Sequence, residues 1–236
     1  MLTLIRRISL EIAWGVLVIG HAGAVRASMA QTVEPGAVWK PPLNYIITIH
    51  QDCQNLSFPA LGGCFVTEMQ RLGASQQAVG FAEQLQNEGF LRDLQRTGKV
   101  DVAYVYYPFR ANENDGCLLV NGNPALINVD ALDALPQSSM HRDPAYISLL
   151  AQYPKISIWP GDRSGKVDPV VVEILPDRTQ RFIVHYRLRD GCHACAQIGQ
   201  ASFGFEFDRN GRFLQAEYFG IRAMDLKRPK GRGKRQ

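Results

Sequence analysis

The clearest pattern in the chain is a period of two near its C-terminus. Ala201, Phe203, Phe205 and Phe207 alternate with Ser202, Gly204 and Glu206. Side chains of a strand point alternately to opposite faces, so this stretch reads as a half-buried β-strand. Residues 181–188 and 213–221 are also strands, with alternating or near-continuous apolar character. Asp208-Arg209-Asn210-Gly211 separates the last two. Asn-Gly accommodates the positive φ angles of a tight hairpin turn. The C-terminal third is therefore predicted to be a three-stranded β-meander.

The first half is mixed. Residues 45–50 (YIITIH) are β-branched and aromatic and predict a short strand. Residues 51–63 hold Asn, Ser, Pro and Gly and predict a loop. Residues 65–72 predict a helix ending at Gly73, and Ser75 is an N-cap for a helical segment over 76–97. Gly80 and Gly89 weaken that segment by about 1 kcal/mol each relative to Ala, which divides it into shorter helices. Residues 100–107 (VDVAYVYY) are the strongest strand of this half, closed by Pro108. Residues 117–120 and 155–159 predict further strands, and 130–135 and 143–153 short helices. Helices first and antiparallel strands last predict an α+β fold, with N-terminal helices packed on a curved antiparallel sheet ending in the three-stranded β-meander.

Charge and hydropathy add a compartment. Arg6 and Arg7 precede an uncharged, mostly apolar run over residues 12–25, and Ser28-Met29-Ala30 has a small-x-small pattern. Fourteen residues at about 1.5 Å each fall short of a ~30 Å hydrocarbon core. Residues 1–30 therefore read as a secretory signal peptide, cleaved before Gln31. Residues 31–43 read as an extended linker, 44–225 as a single α+β domain, and 226–236 as a basic disordered tail. The net charge of +4 is misleading. Six cations in the tail and an excess of two in the leader leave an acidic body of −4. The basic tail suits contact with an anionic surface. No later segment is apolar enough to span a membrane.

Candidate chemistry centres on five cysteines. Cys192-His193-Ala194-Cys195 fits a redox pair, half a zinc site or a structural bridge. It lies between two predicted antiparallel strands, whereas dithiol catalysis uses a helix N-terminus to lower the thiol pKa. A zinc site needs further ligands, and no second C-x-x-C is present. Cys53 and Cys64 bracket a Pro/Gly loop. Of the fifteen ways to form two bridges from five cysteines, the reading adopted is Cys53–Cys64 and Cys192–Cys195, with Cys117 free and buried. An exported chain permits both bridges. Glu206-x-Asp208-x-Asn210-Gly211 matches part of a calcium loop. Its flanks have strand rather than helix periodicity, which favours the hairpin.

The aromatic strand and polar loop over residues 104–115 (YVYYPFRANEND) supply the binding candidates Tyr106, Arg110, Asn112 and Glu113. Loops held by a rigid strand commonly carry binding sites, and Arg110 suits a carboxylate or other anion. No nucleophile elbow, phosphate loop or metal-ligand spacing points to a cofactor or a metal.

With these residues in view, the chain resembles a family of uncharacterised exported bacterial proteins. The resemblance rests on residues 100–122 (VDVAYVYYPFRANENDGCLLVNG), WPGDR over 159–163, and 189–214 (RDGCHACAQIGQASFGFEFDRNGRFL). It implies a periplasmic or secreted protein and no activity. It also implies that the Arg110 loop and the Cys192–Cys195 segment lie close together. The expected function is a non-enzymatic binding or structural module of the envelope. The alternatives are a thiol–disulfide oxidoreductase using Cys192 and Cys195, and a hydrolase, which requires a pocket holding a nucleophile beside a base.

Overall fold

A computed structural model describes residues 32–164 and 168–224. The signal segment and the basic tail lie outside the described residues. The class is mixed α+β, with two antiparallel sheets in place of the single curved sheet expected.

The chain begins with α1 (Leu43–Cys53), α2 (Ala60–Arg71) and α3 (Gln76–Gln84). The first sheet follows, in sequence order: β1 (Phe90–Gln95), β2 (Asp101–Tyr106), β3 (Asp115–Val120) and β4 (Leu126–Asn128). Two short helices, α4 (Gln137–His141) and α5 (Pro144–Gln152), lead to the second sheet. Its strands are β5 (Ile156–Pro160), β6 (Val171–Ile174), β7 (Gln180–Asp190), β8 (Gln197–Phe207) and β9 (Phe213–Ala223). Strands β5, β7, β8 and β9 are neighbours in that order, and β6 also pairs with β7. The Asp208–Gly211 segment is a hairpin turn, with Gly211 at φ +81° and the Asp208 carboxylate accepting from the Asn210 and Arg212 amides.

Three expectations from the sequence are corrected. The loop expected over 51–63 is confined to 54–59, because α1 runs on to Cys53 and α2 starts at Ala60. Residues 45–50 are helical, not extended. Pro42 opens α1, and the longer window places Ile46, Ile49 and Cys53 at spacings of three and four, the inward stripe of a helix. Burial of Ile49 and Cys53 outweighs the β-preference of the isoleucines. The segment over 76–97 is a helix followed by a strand. Gln86 and Asn87 take left-handed φ angles of 58° and 61°, the Asn87 amide donates to the Ala82 carbonyl, and the chain turns into β1.

Both faces of the first sheet are covered. Val102 and Tyr104 of β2, with Cys117 and Leu119 of β3, pack into a core shared with Phe182, Tyr186 and Phe203 of the second sheet. The alternate residues, Ala103, Val105, Leu118 and Val120, pack against Phe81 of α3 and against Val33 and Ala37 of the N-terminal segment. This two-sided burial explains why β2 and β3 are near-continuous apolar runs.

Candidate functional site

Two adjoining cavities lie where the end of β2 meets the 160–164 turn. The larger, about 560 Å³, has apolar walls from Leu43, Ile46, Phe90 and Tyr106 and a charged rim of Lys40, Arg92 and Asp93. The smaller, about 350 Å³, is polar. Glu113, Asp115, Asp162, Arg163 and Arg187 supply its charges, and His193 adds an imidazole. Tyr106 lines both. Arg92 in the first cavity pairs with Asp115 in the second, and donates from Nη2 to the Arg163 carbonyl at 3.1 Å.

Each polar side chain is held by local structure. Asn114 closes the 107–114 loop: its Nδ2 donates to the Tyr107 carbonyl at 2.7 Å and to the Arg110 carbonyl at 2.9 Å. This presents Glu113, at φ 56°, to the polar cleft. Burial holds the Glu113 carboxyl above the usual carboxylate range, opposed by His193 and reinforced by Asp130. For Asp162 burial works the same way, but hydrogen bonds from Ser164 and the nearby Arg187 and Arg92 prevail and hold it low. Two carboxyl groups in one cleft are thus pushed in opposite directions.

Beneath them lies Arg163, a fully buried guanidinium. Its Nε donates to Asp130 at 2.7 Å and its Nη1 to the His185 carbonyl at 3.0 Å, and its Cζ lies 5.2 Å from the centre of the Tyr186 ring. Burial opposes its charge, and Asp130 offsets that penalty. Asp130 also accepts from the Cys117 amide of β3 at 2.9 Å. This pair ties the turn after β5 to both sheets.

The cysteines stand as two pairs at disulfide distance. Cys53 and Cys64 join α1 to α2, with Cα atoms 5.8 Å apart. Cys192 and Cys195 lie in the connection between β7 and β8, 5.0 Å apart. Cys117 is free and buried, and burial pushes its thiol up to about 12, which leaves it protonated and inert. Cys192 sits in a hairpin connection that Gly191 enters at φ +91°, not at the start of a helix. No helix dipole is therefore available to stabilise its thiolate.

The structure divides the sequence candidates. Tyr106 and Glu113 line the cleft. Arg110 does not: its guanidinium stacks 3.4 Å above the Tyr107 ring and pairs with Glu88. Asn112 is exposed on the loop. The Glu113 loop and the cysteine connection do meet, since His193 Nε2 lies 3.4 Å from Glu113 Oε1. Sequence reasoning passed over Asp162, Arg163 and Arg187. The WPGDR turn, a charged pair fixed behind Pro-Gly, was the signal that could have found the first two.

A nucleophile beside a base exists elsewhere. His185 Nδ1 lies 2.9 Å from Ser202 Oγ, by a third cavity of about 370 Å³. The two face each other across the β7–β8 ladder, and β8 is bonded on both edges. The β8–β9 ladder shifts register between Ser202 and Phe203, so the pair lies beside an irregularity in the sheet. Among the described residues, no cluster of His, Cys, Asp and Glu has the arrangement of a metal site, and no helix is long and apolar enough to cross a membrane. No protein family, curated protein or solved structure matches the chain.

Proposed function

We propose that this is an exported bacterial envelope protein, periplasmic or secreted, that binds a small ligand with an apolar body and a polar end. The observation that carries the reading is Tyr106, which lines both the apolar and the polar cavity. The apolar body lies against Leu43, Ile46 and Phe90, and the polar end faces Glu113, Asp162 and His193. Combined volumes of this order suit a small-molecule site, in which apolar walls give affinity and a few fixed polar groups give orientation. The exported setting is supported by the leader pattern and by two cysteine pairs at disulfide distance, which persist in oxidising compartments. The resemblance to exported bacterial proteins points the same way. The basic segment over residues 226–236 adds a contact for anionic surfaces through its charge.

Dansylcadaverine, with apolar rings and a cationic ammonium end that suits the carboxylates of the polar cleft, is a suitable probe. The expected result is one saturable site on the folded protein, weakened at least about tenfold by Ile46→Asp or Tyr106→Ala. Leu214→Ser, which alters an exposed apolar residue on β9, serves as the control and leaves binding unchanged. Absence of saturable binding, or equal binding by all variants, would overturn the reading.

A further inference from the structure

We infer that the Cys192–Cys195 pair is a redox latch on the polar cleft, setting ligand affinity through His193. The inference rests on the binding reading above and concerns the regulation of that same site.

His193 lies inside the ring that the disulfide closes. Its imidazole contacts two groups outside that ring: Glu113 at 3.4 Å, and the Trp159 ring edge-on at 5.1 Å between centroids. Within the turn, the Cys195 amide donates to the Cys192 carbonyl at 3.0 Å, and Arg189 Nη1 donates to the Cys195 carbonyl at 2.7 Å. The disulfide and these two bonds together hold the backbone that aims His193 at the cleft.

The two cysteine pairs differ in access. Cys53 is fully buried and Cys64 half-buried, whereas Cys192 is exposed at the tip of the β7–β8 connection and Cys195 half-buried. Thiol–disulfide exchange requires approach to a sulfur atom, so the exposed pair reacts first. A loop closed over a separation of three constrains the unfolded chain less than the Cys53–Cys64 loop does. Opening it changes the turn while the fold persists.

The reductant is a dithiol. Its thiolate attacks one sulfur, forming a mixed disulfide and releasing the other cysteine as a thiolate that takes up a proton. The reductant's second thiol then resolves the mixed disulfide. Two electrons and two protons pass to the pair, the reductant leaves as a disulfide, and Cys192 and Cys195 become free thiols. The released turn no longer holds His193 against Glu113 and Trp159, and the polar wall of the cleft changes.

The test combines two measurements on the protein as it exists. Dithiothreitol is titrated until alkylation and mass spectrometry show Cys192 and Cys195 reduced and Cys53–Cys64 intact. The affinity for dansylcadaverine is then measured, together with the nuclear Overhauser contact between the His193 and Trp159 rings. Reduction is expected to abolish the ring contact and to shift affinity about five- to tenfold. Cys192→Ser/Cys195→Ser reproduces both effects and removes the response to dithiothreitol, and His193→Ala matches its affinity. If the ring contact is lost but affinity is unchanged, the latch is overturned and the binding reading stands. If both survive reduction, the latch is likewise overturned. If the oxidised wild type binds no probe, the binding reading falls and takes the latch with it.

Discussion

Glu113 shows most directly how the fold gives a residue its chemistry. In the sequence it is one of several charges in a polar loop. In the structure it is half-buried, and burial raises its pKa. A carboxyl group with a raised folded-state pKa binds its proton more tightly in the native state than in the unfolded one. Stability therefore falls as pH rises from the ordinary glutamate pKa, about 4.3, toward the raised folded-state value. Glu113→Gln removes that fall. Urea midpoints of wild type and variant, measured across this range, should shift in favour of the variant as pH increases. Parallel profiles would show that Glu113 ionises as freely in the folded protein as in the unfolded chain. Arg110 shows the reverse case. Its type suited an anion site, yet stacking on Tyr107 and pairing with Glu88 leave it outside the cleft. Residue type was legible in the sequence, but the direction in which a loop presents its side chains was not.

At the scale of elements, the two disulfides have different tasks. The Cys53–Cys64 pair closes a separation of 11 and clamps α1 to α2. Chain entropy alone gives it about 3 kcal/mol, against about 2 kcal/mol for the Cys192–Cys195 pair. The difference widens because Cys53 packs in a buried position while Cys192 is exposed. Cys53→Ser/Cys64→Ser should therefore lower the urea unfolding free energy by at least about 1 kcal/mol more than Cys192→Ser/Cys195→Ser. Equal losses would mean that the hairpin bridge also holds up the fold. Strands with clean alternation, such as β8, were legible because the pleat itself imposes the period. Helix α1 was not, because six β-branched and aromatic residues hide a helical stripe that only the longer window reveals. Strand β1 was missed for a related reason: the left-handed turn at Gln86 and Asn87 ends α3 without a glycine or proline at the turn itself.

At the scale of the molecule, the two sheets are joined by polar as well as apolar contacts. Gln180, at the start of β7, is buried and bridges to the β1–β2 turn. Its Oε1 accepts from the Lys99 and Val100 amides at 2.9 Å each, and its Nε2 donates to the Thr97 and Val100 carbonyls at 3.1 Å each. Leucine has a similar size but leaves the buried Val100 amide and the part-buried Lys99 amide without this acceptor. Gln180→Leu should destabilise the protein by about 2 kcal/mol or more, read as a lower urea midpoint. A neutral result would show that the sheets are held by apolar packing alone. A second seam runs from Asn123, after β3, to the β8–β9 turn. The Asn123 amide donates to the Gly211 carbonyl at 2.7 Å, and the Phe213 amide to the Asn123 carbonyl at 2.8 Å.

The sequence by itself determined the α+β class, the C-terminal strands, the Asn-Gly turn and a cysteine pairing that agrees with the disulfide distances observed. Each is local, or nearly so: a period of two, a turn that needs positive φ, or cysteines brought close by short separations. Only the tertiary structure decided that there are two sheets, that Arg163 is buried against Asp130, and that Tyr106, Glu113, Asp162 and His193 share a groove. Those groups come from segments up to 87 residues apart in the chain. Their meeting depends on how the two sheets pack, and no period or spacing within one segment encodes it.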